Sequence, residues 1–342
     1  MIKLDRIKIV VPLQPDTDIR QLIIRKKVMA HTPSKGVWKY RHDDINLTIT
    51  LREKTSIIRQ SRRKLDKKSI AFEFTSKILG ERMTELITTD NICDCLYNIQ
   101  RMNIVQFDVD EVLEKGDVVL LHITQDKRIT TEFANDINAF TSWNLHNHQK
   151  VTLERYYGGF ALDKHGKFND YRTHQRMTFY SKELELGSSS PLYFHGIYRV
   201  ERELDSKEKI RKALHLGKGQ IKVDDVFRSN SNAFLDFYSE CVNLDGVPMP
   251  LTGGTEDKVR MKLVECGFAP KHPDRCDDSK VLAKVEHWLR RRKNPRTGKR
   301  MVYASRLLRP YQQYLQRLRL KDTPTITRED IVEFFDTSDC PP

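Results

Sequence analysis

The chain has 342 residues, 38% of them hydrophobic and 31% charged, which is enough to bury a sizeable core and to divide into two domains. No apolar run approaches the roughly 20 residues a helix needs to cross a bilayer. Sixty Lys and Arg against 47 Asp and Glu leave a net charge of +13, which disfavours basic ligands and points to a polyanionic partner.

In chain order, residues 2–11 and 45–51 alternate apolar with polar side chains and predict half-buried strands, as do residues 69–75. The N-terminus lacks a small-residue cleavage site, so the expected location is the cytoplasm. A short helix is expected over 76–79 with Gly80 ending it, then a helix over 89–102. Residues 117–124 form an apolar, central strand, and 132–143 a helix. Strands follow over 151–157, 175–180 and 196–204. Beyond them 206–216, 225–242 and 279–292 predict helices, with a Pro/Gly-rich linker at 244–255, a turn at 294–298 and a basic helix at 304–320. Thr327 predicts the N-cap of a last short helix. The expected fold class is α+β. An antiparallel-sheet catalytic domain spans 1–205 and a mainly helical, basic, DNA-binding segment spans 206–342. The run from Phe72 to Lys77 echoes that from Thr178 to Lys182, which suggests an internally duplicated unit.

The charge is concentrated. Residues 281–321 hold 13 Lys and Arg against one acid, Glu286, and include Arg290, Arg291, Arg292 and Lys293. A second basic run, 52–68, contains Arg62, Arg63 and Lys64. Such patches are the footprint of nucleic-acid binding, and the 281–321 stretch is expected to supply affinity rather than chemistry. The bland alternative is a solvated basic helix or a contact with an anionic membrane surface.

Two segments carry reactive side chains inside strand-like runs. Side chains two apart on a strand share a face, so Tyr180 is expected beside Lys182, and Arg199 beside Glu201. A tyrosine next to a lysine and carboxylates is a group that can attack a phosphodiester covalently. Other constellations point elsewhere. His146-Asn-His148 with Tyr156 and Tyr157 is similar to the histidine pair of another nickase class. His272-Pro-Asp-Arg275 with Tyr303 or Tyr311 is similar to a tyrosine recombinase, although Pro273 would break the helix required there. Cys93-Asp-Cys95 is a minimal zinc signal without a second pair.

The segment from Arg176 to Leu186 resembles the filamentous-phage gene II/gene X replication proteins and, more distantly, the rolling-circle initiators of small plasmids. The Tyr-x-Lys-x-x-Glu motif of those families matches Tyr180, Lys182 and Glu185. Their Arg-x-Glu motif matches Arg199 and Glu201. An acid in a strand leading to a Tyr-Gly turn matches Glu154 ahead of Tyr157-Gly158, and a strand Glu followed by Ser, Lys and Gly matches Glu73 to Gly80. Together these cover residues 40–205. One position departs: His122 stands where the family has an acid, so that His122 or the nearby Asp126 would take its role.

The resemblance implies a replication initiator of a phage or plasmid in a bacterial host. It would nick origin DNA by tyrosine attack, giving a 5′-phosphotyrosine and a free 3′-OH that primes rolling-circle synthesis. It assigns Tyr180 as nucleophile, Lys182 as its cationic neighbour, and Glu154, Glu185 and Glu201 as ligands for Mg²⁺ or Mn²⁺. Arg199 and the two basic runs would contact duplex and single-stranded DNA, with host helicase and polymerase as further partners and no membrane contact. A mobilisation relaxase would use the same chemistry. A non-catalytic, basic DNA-binding regulator would explain the charge and leave Tyr180, Lys182 and Glu185 unused.

Overall fold

The computed structural model describes residues 2–33, 36–57, 64–146, 151–156, 158–164, 174–187, 191, 194–244, 253–269, 277–291, 307–308, 310–312, 314–315 and 326–336. β1 (Leu4–Pro12) sends Leu4, Ile7, Ile9 and Val11 into the core, while Arg6 and Lys8 face the other way. A register irregularity between Leu4 and Arg6 lets Leu4 and Ile7 share the buried face despite their odd spacing. A short helix α1 (Ile19–Leu22) and β2 (Ala30–Thr32) lead to β3 (Val37–His42). The hairpin of β4 (Leu47–Ile57) and β5 (Lys64–Thr75) follows. A 3-10 segment, Ser76–Glu85, is interrupted at Gly80, whose positive φ breaks the helical path, and it resumes beyond the expected end at residue 79. Next come α2 (Ile92–Arg101), α3 (Val109–Lys115) and β6 (Asp117–Arg128), the last central in the sheet, as expected from its apolar run.

The second half repeats this order. After α4 (Thr131–Asn144) come β7 (Val151–Tyr156), β8 (Gly159–Lys164), β9 (Gln175–Ser181), the short helix α5 (Lys182–Leu186) and β10 (Ile197–Leu204). Among the described residues all ten strands form one sheet, in the order β2-β3-β4-β5-β1-β6-β10-β9-β8-β7, with antiparallel pairing. Adding five to each strand of the first half and reversing the direction reproduces the list. The sheet is therefore two five-strand units joined back to back along β1 and β6, each with a helix between its first and second strands. The duplication expected from the sequence is present in topology, but the echoed segments are not equivalent strands. Phe72 lies on β5, whose counterpart is β10, whereas Thr178 lies on β9, whose counterpart is β4.

One face of the sheet is apolar and covered. Ile9, Ile49, Phe72, Phe74, Leu121, Met177, Phe179 and Val200 all point into it and are at most 3% exposed. Burying each such side chain contributes roughly 1.5–3 kcal/mol. α3 packs on β1, α4 on β8, α6 (Lys207–Leu214) on β6 and α8 (Ala233–Cys241) on β10. α7 (Val223–Phe227) and α8 replace the single helix expected over 225–242, with Asn232 capping the second.

Packing does not divide the chain at residue 205. The main core runs on through Val242 and takes back the final helix, α11 (Arg328–Phe335), whose Phe334 and Phe335 are 5% and 1% exposed. Thr327 caps α11 through a reciprocal pair with Asp330, as the sequence predicts. A separate small cluster joins α9 (Gly253–Glu265), α10 (Asp278–Arg291) and Leu308, Tyr311, Tyr314 and Leu315 around Leu263 and Val285. Most of the basic helix expected over 304–320, and the centre of the expected linker, lie outside the described residues. Among the described residues no helix is long and apolar enough to cross a membrane.

Candidate active site

The uncovered face of the sheet is polar, and its second half holds the reactive groups. On β9, Gln175, Met177, Phe179 and Ser181 point inward, so Arg176, Thr178 and Tyr180 point outward. On β10, Arg199, Glu201 and Glu203 share that outward face. The register pairs Tyr180 with Arg199 and Thr178 with Glu201, which puts Glu201 diagonally next to Tyr180, within reach of a long side chain. The Tyr180 hydroxyl donates to Glu201 Oε1 at 2.9 Å. On the other side Tyr180 pairs with Gly159. A Cβ there would fall 2.1 Å from the Phe179 carbonyl oxygen, so only glycine permits this close approach beside Tyr180. Gly158 before it turns the β7–β8 hairpin at φ +79°.

β9 ends at Ser181, whose hydroxyl caps α5 by accepting from the Leu184 amide at 3.3 Å. Lys182 is therefore the first residue of a helix, not the strand neighbour of Tyr180 that alternation implied. The two still meet: Lys182 Nζ lies 5.3 Å from the centroid of the Tyr180 ring. One helical turn also brings Glu185 onto Lys182 as an ion pair. Tyr180, Glu201, Glu185, Arg176, Thr178 and Tyr156 line one open cavity of about 400 Å³.

Electrostatics set the resting state of this cavity. Burial, and then the negative charge of Glu201, push the Tyr180 phenol well above its ordinary value, so it rests protonated. Burial likewise raises the Glu201 carboxyl, against the pull of Arg199, and makes it a better proton acceptor than a solvated carboxylate. Arg199 stands 3.7 Å from Glu201 and 3.6 Å from Asp5, and it grips Asp126 with two hydrogen bonds of 2.6 and 2.7 Å. Burial works to lower its pKa, and the bonded Asp126 carboxylate overrides this and raises it. Tyr156 offers a second hydroxyl in the cavity. It donates to the Phe160 carbonyl at 3.0 Å, and burial pushes it up to about 12.

Several expected roles change. Arg199, expected at the DNA, is only 6% exposed at its side chain and is held by carboxylates, so it is an organising cation within the protein. Asp126 is its partner rather than a member of a carboxylate cluster. His122 stands in register with Glu203 and Arg6, and burial lowers its pKa. The three expected metal ligands do not converge. Glu185 and Glu201 share the cavity, but Glu154 lies in the row of Ala161, Thr178 and Glu201, three strand spacings or about 14 Å from Glu201. It is 63% exposed and pairs with Arg176 at 3.2 Å. Among the described residues no three His, Cys, Asp or Glu side chains are gathered as a metal-binding group, so these residues as arranged do not fit the expected divalent ion.

Arg62 and Arg63 lie outside the described residues, and Lys64 is placed only as the first residue of β5. Arg290 and Arg291 are exposed at the end of α10, Arg290 bonded to Glu286 at 2.6 Å; Arg292 and Lys293 lie outside the described residues. His146 contacts the Ser239 carbonyl at 3.2 Å, while His148, Tyr157, residues 271–276 and Tyr303 lie outside the described residues. Tyr311 packs against the small C-terminal cluster. Cys95 is fully buried and Cys93 partly so, both as free thiols, which is the behaviour of core side chains.

No protein-family model matches this chain, and no curated protein matches it either.

Two residues of the cavity had no role assigned from the sequence. Arg176 stands four residues before Tyr180, and Glu203 two after Glu201. Strand parity alone puts each on the face of its partner, so counting back and forward by two would have found both.

Proposed function

We propose that this chain nicks DNA by transesterification to Tyr180, as the initiator of rolling-circle replication of a phage or plasmid. The observation that carries the reading is the Tyr180–Glu201 hydrogen bond in an open cavity lined by Arg176, with Lys182 beside the Tyr180 ring. Such a cavity offers a nucleophile, its proton acceptor and cations for a phosphodiester.

In this reaction Glu201 takes the phenol proton as the Tyr180 oxygen bonds to phosphorus. The bond from phosphorus to the 3′ oxygen breaks, and that oxygen leaves with a proton from solvent as a free 3′-OH. Arg176 and Lys182 offset charge on the non-bridging oxygens. Arg199 keeps Glu201 in position and draws its strength from Asp126. The 5′-phosphotyrosine conserves the bond energy for rejoining, and the 3′-OH is a primer end. The positive excess of the chain favours a polyanionic substrate.

The test is covalent capture. Wild-type protein incubated with supercoiled DNA carrying its cognate origin should yield open circles and a protein–DNA adduct stable to detergent, and Tyr180→Phe should yield neither. An adduct formed by Tyr180→Phe would make another tyrosine the nucleophile, with Tyr156 the neighbouring hydroxyl.

A further inference from the structure

The two halves share topology and one continuous uncovered face, yet they carry different chemistry on it. Where the second half has Tyr180 and its carboxylates, the first half has a cavity of about 420 Å³ walled by Arg6, Lys8, Lys39, Arg41 and Arg52, with Glu73 as its one carboxylate. Strand register explains the gathering. Lys8 pairs with Glu73, Glu73 with Thr48 and Thr48 with Arg41 across β1, β5, β4 and β3. Lys39 pairs with Thr50 two residues along, on the same face. Glu73 is satisfied from within by Arg6 and by Lys8 at 2.7 Å. Burial opposes its ionisation, but these two cations hold its carboxyl below the usual range. Among the described residues neither Lys39 nor Arg52 has a carboxylate partner, and both are exposed. Arg41 is paired with Asp43 outside the cavity lining, and five cations around one already neutralised carboxylate, with Lys39 and Arg52 left over, make a site for an anion, not for a cation or an apolar ligand.

The face is continuous between the two cavities. Arg6 on β1 stands opposite His122 on β6, His122 opposite Glu203 on β10, and Glu203 opposite Arg176 on β9. From β5 to β9 is four strand spacings, about 19 Å, a span that several consecutive phosphates of one DNA strand can cover. The Tyr180 end of this path is rich in carboxylates, which repel a polyanion. The charge that would hold a strand across it lies in the first half.

We propose that the basic cavity of β1, β3, β4 and β5 is the phosphate-binding half of the DNA site, which holds the strand whose neighbouring phosphodiester reaches Tyr180. This rests on the nicking reading for the identity of the polyanion. One duplicated unit then performs the chemistry and the other supplies the grip.

The test neutralises Lys39 and Arg52, which have no part in the Tyr180 cavity. Full-length protein carrying Tyr180→Phe, with and without Lys39→Gln/Arg52→Gln, is titrated against a fluorescein-labelled 24-nucleotide single strand at several salt concentrations. Loss of two phosphate contacts should flatten the log–log salt slope by about 1.4 and weaken binding most at low salt. Lys39→Arg/Arg52→Lys should restore both. An unchanged slope in the Gln pair overturns the site. Adduct formation with Tyr180 intact is scored in parallel. Adducts together with an unchanged slope refute this site and leave nicking standing, while a flattened slope without any wild-type adduct supports the site and refutes nicking.

Discussion

Tyr180 and Glu201 stand diagonally across two antiparallel neighbours, phenol oxygen to carboxylate oxygen 2.9 Å. Neither residue is unusual in a strand; the register between β9 and β10 makes them a pair. The contact couples two groups that burial pushes in the same direction, so the phenol keeps its proton until a phosphodiester arrives and Glu201 is the acceptor at hand.

Loss of that acceptor should be severe but less than total. General-base contributions are about 10²- to 10⁴-fold. Glu201→Gln should lower the rate of adduct formation within that range, while Tyr180→Phe abolishes it and both variants bind labelled DNA like wild type. A Glu201→Gln variant at full rate would leave Glu201 as a structural partner only.

The pH dependence follows from the same carboxyl. Its ionised form is the base, so adduct formation should rise with pH through a value above the ordinary 4.5, and Glu201→Gln should remove that limb. Stability has the opposite sign. A carboxyl whose folded-state pKa is raised favours the native state fully below its unfolded value, and that contribution is lost as pH rises through the raised one. The Tm of Glu201→Gln relative to wild type should therefore climb as pH increases from about 4.5, and level off once Glu201 is ionised. Thermal melts across that range check the direction.

A divalent-ion requirement, if adduct assays with Mg²⁺, Mn²⁺ and EDTA reveal one, should not depend on Glu154. That side chain is turned to Arg176 and is far from Glu201. Glu154→Gln should leave the ion concentration for half-maximal activity within about twofold, a small change against the tenfold of 1.4 kcal/mol. A tenfold shift would mean that the β7 edge moves onto the cavity when substrate binds.

The Arg199–Asp126 pair is the buried charge that organises the site. Its guanidinium is 6% exposed and Asp126 21%. Breaking such a pair costs about 3–5 kcal/mol because one charge is left buried, whereas replacing both partners by apolar side chains is often neutral. Asp126→Ala should destabilise by the lower end of that range, since Asp5 and Glu201 remain near Arg199. Arg199→Met/Asp126→Leu should recover most of the loss in denaturant melts without recovering nicking.

Much of this was legible in the sequence. Residue pattern located β6, β7, β9 and β10 to within a few residues, β6 by its apolar run, and the motif residues Tyr180, Glu185 and Glu201 do meet in one cavity, with Lys182 beside the Tyr180 ring. The unread parts have physical causes. β8 is buried along nearly its whole length, so it lacks the alternation that marks a half-buried strand. The end of β9 at Ser181 is a capping event one residue long, and it moved Lys182 from strand to helix. Glu154 looked equivalent to Glu201 because a local motif carries no register; two intervening strands separate them. The cationic cavity of the first half drew its five basic side chains from three strands spread over 47 positions of sequence, too dispersed for a charge run to reveal.

The C-terminal helix is the other long-range feature, and it changes what a truncation would do. From sequence, everything beyond about residue 280 is expected to be dispensable for chemistry on a short oligonucleotide. In the fold α11 returns beneath β9: Phe334 meets Phe179 edge-on at 5.8 Å and Phe133 at 6.0 Å, and Phe335 meets Tyr238 at 4.9 Å. Asn232 donates to the Phe335 carbonyl, and Gln125 and Lys127 donate to that of Asp336. Phe179 immediately precedes Tyr180, so this packing supports the strand that presents the nucleophile. Phe335→Ala should cost about 3–5 kcal/mol and lower the midpoint of urea unfolding, with adduct formation falling only as the folded fraction falls. A chain ending at residue 280 should lose nicking through instability, and not only the salt-dependent affinity expected of residues 281–321. Full activity and an unchanged unfolding midpoint in that truncated chain would show that α11 contributes nothing to the sheet.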